Sequence, residues 1–175
     1  VVMAGNPSAA SVEAFLGLMG RFGDATGAAA TGVTVTDRVQ PERLADQDIL
    51  VIGSSTLAGA GEFFANAPVR FEGGALKVRE TTPLQNLGAL FSNREHANSE
   101  EVADAVQNAR GFSGIVSFRS PYGGERTVVA LLADDPRQLP LLVDGMADAK
   151  INAQIQGDLS VTSGDGMASF AVGPT

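Results

Sequence analysis

Ser117-Phe118-Arg119-Ser120-Pro121-Tyr122-Gly123-Gly124-Glu125-Arg126-Thr127-Val128-Val129-Ala130-Leu131-Leu132-Ala133-Asp134-Asp135-Pro136 is the stretch whose reading decides the fold. Val128–Ala133 is the most continuous apolar run of the chain, and Asp134-Asp135-Pro136 stops it. A short run that starts with β-branched residues and ends on breakers reads as a strand buried on both faces. Alternation then puts Val129 and Leu131 on one side of the sheet and Val128, Ala130 and Leu132 on the other, with helices over both. Gly114–Arg119 is a second strand pattern. The link between them is short and carries Pro121 and Gly123-Gly124, which predicts an antiparallel hairpin.

Working outward, Val1–Ala4 reads as a short first strand. Asn6 then offers a helix cap with Pro7 at the first helical position. Val12, Phe15, Leu16, Met19 and Phe22 recur at helical spacing and predict one buried face, with Gly23 or Gly27 ending the helix. Gly17 and Gly20 weaken that helix but permit close approach of a neighbour. Thr31–Thr36 alternates around Val33 and Val35 and predicts a half-buried or edge strand. Pro41–Ala45 suggests one helical turn, and Asp48–Gly53 a central strand.

Between Ser54 and Asn98 the pattern is least legible. Ser54-Ser55-Thr56 suits a helix cap near Leu57–Phe64. Val69–Phe71 and Ala75–Arg79 suit a small hairpin, and Leu84–Phe91 a further helical turn. Asn98–Gly111 has clear helix ends: Asn98 or Ser99 as cap, Glu100 and Glu101 in the first turn, Arg110 in the last. A last helix begins at Asp135 or Gln138, with Leu139, Leu142, Val143 and Met146 on one face and Pro140 near its start. Gly157–Thr162 and Met167–Val172 predict a final hairpin.

Three segments together carry a family resemblance. Ser117-Phe118-x-Ser120-Pro121-Tyr122 with Arg126-Thr127-Val128-Val129-Ala130-Leu131-Leu132-Ala133-Asp134-x-Pro136-Arg137 resembles the last periplasmic domain of the B subunit of bacterial cellulose synthase, the cyclic di-GMP-binding protein family. Asn6-Pro7, the following helix and Ala28-Ala29-Ala30-Thr31-Gly32-Val33-Thr34-Val35 resemble the start of that domain. Asp46-x-Asp48-Ile49-Leu50-Val51-Ile52-Gly53 resembles its central strand. These motifs are strands and turns, so they point to a family without pointing to a chemistry.

Composition sets the outer bounds. A length of 175 residues suits one domain with a sizeable core. The net charge of −8 argues against nucleic acid and anionic membrane surfaces as partners. Cys is absent, which excludes disulfides and thiolate chemistry. No signal peptide or membrane span is visible. The chain opens inside a strand pattern, so residues 1–175 are expected to be a single domain within a longer chain.

Candidate chemistry is sparse. The loop Gly5–Ser11 contains a proline and lacks the dense Ser/Thr/Gly run of a flavodoxin phosphate loop. One Tyr and no Trp leave little to sandwich a flavin. Gly59-Ala60-Gly61 lacks the third glycine of a dinucleotide fingerprint. His96 is the sole histidine, with no nucleophile or orienting acid in its segment. Asp134 and Asp135 follow the central strand, where catalytic acids often sit, yet Asp before Pro also serves as a cap. A receiver domain would place its phosphoacceptor Asp where Gly53 stands. Arg119, Tyr122 and Arg126 can form a protein or glycan contact, an aromatic ring stacking on a sugar face.

The predicted fold class is α/β: a flavodoxin-like three-layer sandwich with a mostly parallel sheet and at least one antiparallel hairpin. The resemblance implies a non-catalytic periplasmic module that supports the catalytic subunit and glucan export. It further implies neighbouring carbohydrate-binding domains in the same chain, cellulose as a contact, no cofactor, and tethering to the inner membrane through a segment beyond Thr175. The alternative is a flavin- or nucleotide-binding domain sharing the fold. No cyclic di-GMP binding is expected. The PilZ pattern Arg-x-x-x-Arg with Asp-x-Ser-x-x-Gly is absent, Glu42 and Pro41 separate Arg38 from Arg43, and Arg38, Arg43 and Arg126 would be the first residues to mutate if saturable binding were found.

Overall fold

The computed structural model describes residues 1–59, 62–72, 75–79, 102, 104, 111–123, 125–164 and 166–172. In chain order the strands are β1 (Val2–Met3), β2 (Ile49–Gly53), β3 (Val69–Glu72), β4 (Ala75–Val78), β5 (Ser113–Arg119), β6 (Thr127–Ala133), β7 (Leu159–Ser163) and β8 (Gly166–Phe170). The helices are α1 (Ala9–Thr26), α2 (Pro41–Leu44), α3 (Ser55–Gly59), α4 (Gln138–Ala147) and α5 (Ala149–Asn152), with a 3-10 turn at Glu62–Phe64.

Six strands form one sheet in the order β1-β2-β6-β5-β7-β8, and β3 and β4 form a separate ribbon. β6 lies inside the sheet, parallel to β2 and antiparallel to β5. Val128, Ala130 and Leu132 join one core cluster and Leu131 and Ala133 the other, with Val129 packed at the margin of the second. The alternation expected of the quoted run is therefore present, and the β5–β6 hairpin with it.

The sheet is mixed rather than mostly parallel. β1–β2 and β2–β6 are parallel, while β6–β5, β5–β7 and β7–β8 are antiparallel. The cause is connection length. Parallel neighbours need a crossover such as α1, whereas β5–β6 and β7–β8 are joined by tight turns that force reversal. Gly164, at φ 55, supplies the left-handed residue of the β7–β8 turn.

Among the described residues the two long helices lie over one face, while Leu44 of α2 and Leu57 of α3 join the other. α1 and α4 pack side by side over Met3, Ile52, Ile115 and Leu131. The opposite face is closed by smaller pieces: Phe63 and Phe64 of the 3-10 turn, Val69 of the β3–β4 ribbon, and Val102, itself in helical conformation. The rest of the helix expected over 98–111 and the turn expected over 84–91 lie outside the described residues.

The buried stripe of α1 matches the expected one only at its margin, where Phe15 and Met19 pack against the core. Ser11, Ala14 and Leu18 face the sheet, while Val12, Leu16 and Phe22 are exposed at 39%, 60% and 46%. Small residues let α1 sit close to both sheet and α4. A Cβ on Gly17 would lie 3.1 Å from Val143 Cγ1, the close approach anticipated for this glycine. Arg21 Nη2 donates to the Met146 carbonyl and ties the two helices at their far ends. Ser8, not Asn6, caps α1: its Oγ accepts from Ser11 N at 3.1 Å. Gly27, at φ 67, ends it.

Thr31–Thr36 is not a strand. β1 is two residues long and supports a single bridge, Val2 to Thr36, in which Met3 N donates to Thr36 O and Thr36 N to Val1 O. Val33 and Val35 stay exposed. Pro140 causes α4 no loss, because it occupies the first turn, where backbone N–H groups have no intrahelical acceptor.

Candidate functional site

The β5–β6 turn carries Arg119, Tyr122 and Arg126. Ser120 N donates to Arg126 O at 2.7 Å and closes it. Gly123 is required there, since a Cβ would overlap the Ala45 carbonyl. Tyr122 stacks on Phe63 with ring centroids 6.1 Å apart and planes at 19°. Phe63 in turn meets Phe64 and Phe118 edge-on, so Tyr122 crowns an aromatic cluster at the end of the core. Arg126 pairs with Asp48 at 3.7 Å, and Asp48 Oδ1 also accepts from Thr127 N at 2.9 Å. Arg119 is exposed, and its carbonyl accepts from Asn66 Nδ2 at 3.3 Å. The structure thus brings the three residues to one hairpin end, with Tyr122 held by packing.

At the C-terminal ends of the parallel strands, Ser8, Ser55, Asp134 and Asp135 are held in structural hydrogen bonds. Ser8 Oγ is engaged with Ser11. Asp134 accepts from Ser55 Oγ on one oxygen and from Phe112 N, at 2.9 Å, on the other. Asp135 accepts from Arg137 Nη2 at 2.7 Å and from Arg137 N at 3.0 Å. The Arg137 side-chain hydrogen bond, then its backbone hydrogen bond, hold the Asp135 carboxyl below the usual carboxylate range. Both aspartates therefore pin the turn that leaves β6. His96 lies outside the described residues. Among those described, no His/Cys/Asp/Glu cluster suits a metal.

One feature escaped sequence reasoning. A cavity of about 630 Å³ opens where β1, β2 and β6 begin, lined by Val1, Met19, Phe22, Val33, Leu50, Val129 and Met146 among others. Its lining is apolar because Phe22 and Val33, expected in the core or an edge strand, sit at its rim. It lies at the opposite end of the strands from the position where open α/β sheets take nucleotides. The signal was the surplus of apolar residues on α1 relative to the sheet it covers.

The described residues form a mixed α/β domain in which Ser8, Ser55, Asp134 and Asp135 are held in its own turns. Residues 1–131 match the family model described as "Cellulose synthase BcsB, second FD domain". The chain belongs to that family. A protein named "Cellulose synthase 2" from Novacetimonas hansenii is 32% identical over 179 residues, covering 100% of this chain and 11% of that protein. A "Cyclic di-GMP-binding protein" from Komagataeibacter sucrofermentans is 31% identical, covering 99% of this chain and 22% of that protein. Another of the same name, from Escherichia coli O157:H7, is 29% identical and covers 98% and 22%. The chain thus spans about a fifth or less of these relatives.

Proposed function

We propose that this chain is a non-catalytic module of a cellulose synthase complex, supporting the catalytic subunit and passage of the glucan. The family match over residues 1–131 carries the reading. The committed polar groups support it: Ser55, Asp134 and Asp135 are each held in structural hydrogen bonds and none faces a second catalytic partner among the described residues. In this reading residues 1–175 are one flavodoxin-like domain, with α1 and α4 as one outer layer and the aromatic cluster and β3–β4 ribbon as the other. Its place is the periplasm, tethered to the inner membrane by a segment outside this chain. No helix among the described residues is long and apolar enough to cross a membrane. Its partners are the catalytic subunit, neighbouring carbohydrate-binding domains and cellulose. Arg119, Tyr122 and Arg126 form the contact, Tyr122 acting as the packed base from which the arginines project.

The test uses the longer parent protein co-expressed with its catalytic subunit. Removal of this domain is expected to abolish co-purification or glucan output, while Asp134→Asn leaves output intact. Full output without the domain overturns the reading. A visible flavin spectrum in the purified chain would instead favour the cofactor-binding alternative.

A further inference from the structure

The helix-covered face of the sheet is closed along most of its length and open where the parallel strands begin. Ile52 and Leu131 face each other across β2 and β6 and are each 1% exposed. Two residues earlier on the same face, Leu50 and Val129 are also paired in register, yet both are only half-buried. The reason is a mismatch of lengths. α1, with 18 residues, spans about 27 Å, whereas β2, with 5, spans about 17 Å. α1 follows β1 and runs back past the strand starts, carrying Phe22 beyond the sheet. Met19 and Phe22 of α1 and Met146 of α4 then roof the cavity of about 630 Å³ whose floor includes Leu50 and Val129.

The mouth of this cavity carries arginines. A second cavity of about 260 Å³ adjoins it, sharing Thr34, Gln47, Asp48 and Ile49 in its lining, and adds Arg38 and Arg43. Arg43 is exposed and has no carboxylate partner among the described residues. Arg38 lies 3.9 Å from Asp37, in a pair open to solvent. The carboxylate that lines both cavities, Asp48, is engaged by Arg126 and by Thr127 N. Glu42 and Asp46 are exposed and line neither. The terminal ammonium of Val1 also reaches the mouth, where it donates to Thr34 O.

We propose that the two cavities together bind one single-chain amphiphile with a carboxylate head, a medium-chain fatty acid. Its alkyl chain lies between the Phe22–Met146 roof and the Leu50–Val129 floor, and its carboxylate meets Arg43 with Arg38 beside it. An apolar lining with a few polar groups at one end, and a volume between about 300 and 1,000 Å³, is the usual form of a small-molecule site. Met19 and Met146 suit an unbranched chain, because a flexible thioether fills irregular gaps. Burial of the chain supplies affinity, and the planar guanidinium orients the head in bidentate fashion. Charge selects that head. The net charge of −8 disfavours a multiply charged phosphate, while one carboxylate is matched by one unpartnered arginine. The site goes beyond the function proposed above and does not depend on it.

The experiment is titration calorimetry of the 175-residue chain with monomeric decanoate, the α-amine being acetylated so that no terminal charge stands at the mouth. Saturable binding is expected. Each added methylene should tighten it by up to about fourfold, so octanoate, decanoate and dodecanoate should form a rising series. Arg43→Gln, at an exposed position, should weaken decanoate by about threefold to fivefold and leave decanol, the neutral analogue, unchanged. Val33→Asp puts a charge at the exposed rim of the apolar part and should weaken both by about tenfold or more. Absence of saturable binding, an affinity independent of chain length, or decanoate binding unchanged in Arg43→Gln overturns the proposal. Tighter binding to phosphatidylglycerol vesicles than to dodecanoate would make a bilayer the occupant and overturns it too. So does dimerisation of the ligand-free chain that Val33→Asp abolishes, since a second copy would then fill the cavity.

Discussion

Two valine-rich runs in this chain meet opposite fates. Val128 and Ala130 in β6 are fully buried, at 0% exposure, while Val33 and Val35 are 37% and 51% exposed. Both runs have strand-forming composition. What separates them is the neighbour each can reach. β6 lies between two full-length strands, β2 and β5, and its two faces are closed by separate clusters. The segment at Val33 borders only β1, whose two residues offer a single bridge. Strand propensity is thus a statement about fitting a pleated, half-buried surface, and it fails where no such surface exists.

The largest expected effect tests that contrast directly. Leu131→Ala should cost about 2–5 kcal/mol, because it opens a cavity under α1 and α4. Val35→Ala should stay within about 0.5 kcal/mol, as for ordinary surface positions. Denaturant melts of both variants decide it. A loss below about 1 kcal/mol for Leu131→Ala would mean that β6 is not central.

Why β6 was legible and α1 was not follows from the same physics. In a strand the two faces alternate strictly, so breakers at Asp134-Asp135-Pro136 and the Gly123-Gly124 turn were enough to place β6, its hairpin and its register. β2, the β3–β4 ribbon and the β7–β8 hairpin were readable on the same signals. A helix chooses its buried stripe by what it must approach. On α1 the small residues Ser11 and Ala14 take the interior beside Leu18, while the larger Val12, Leu16 and Phe22 stay exposed, a choice that hydrophobicity alone does not give. The parallel-to-antiparallel balance was misjudged because it depends on where β7 and β8 dock, and local pattern says nothing about that. At the candidate site, the residues of the β5–β6 turn could be named from sequence. The stacking of Tyr122 on Phe63 could not, since Phe63 lies within the segment 54–98, whose pattern is least clear.

A pair of glycines sharpens the comparison at intermediate size. Gly114 lies in β5, where a Cβ would overlap the Ser160 carbonyl oxygen and crowd Phe112 and Val161. Gly114→Ala should therefore cost about 1–3 kcal/mol through overpacking. Gly32 stands beside Val33 with nothing within 4 Å of a would-be Cβ. Gly32→Ala should be neutral or stabilise by up to about 1 kcal/mol, through the entropy of the unfolded chain. Equal costs at the two sites would show that the 31–36 segment is packed after all.

The smallest effect concerns the turn that closes β6, where the buried run gives way to exposed charge. Asp135 accepts from both the backbone and the side chain of Arg137, and these bonds lower its pKa. A carboxyl whose folded pKa is depressed adds stability above its unfolded value, about 3.9, and loses it as pH falls through the folded one. Asp135→Asn keeps an oxygen for Arg137 N and removes only the charge. The wild type should therefore melt slightly above Asp135→Asn at neutral pH, and the gap should close as pH drops below about 4. Because the pair is exposed, salt should shrink the gap at neutral pH as well. Thermal melts at pH 7 and pH 3, each at low and high salt, measure it. A gap that widens on acidification would mean that Asp135 acts through some contact other than the Arg137 turn, and would put the closure of the central strand in question.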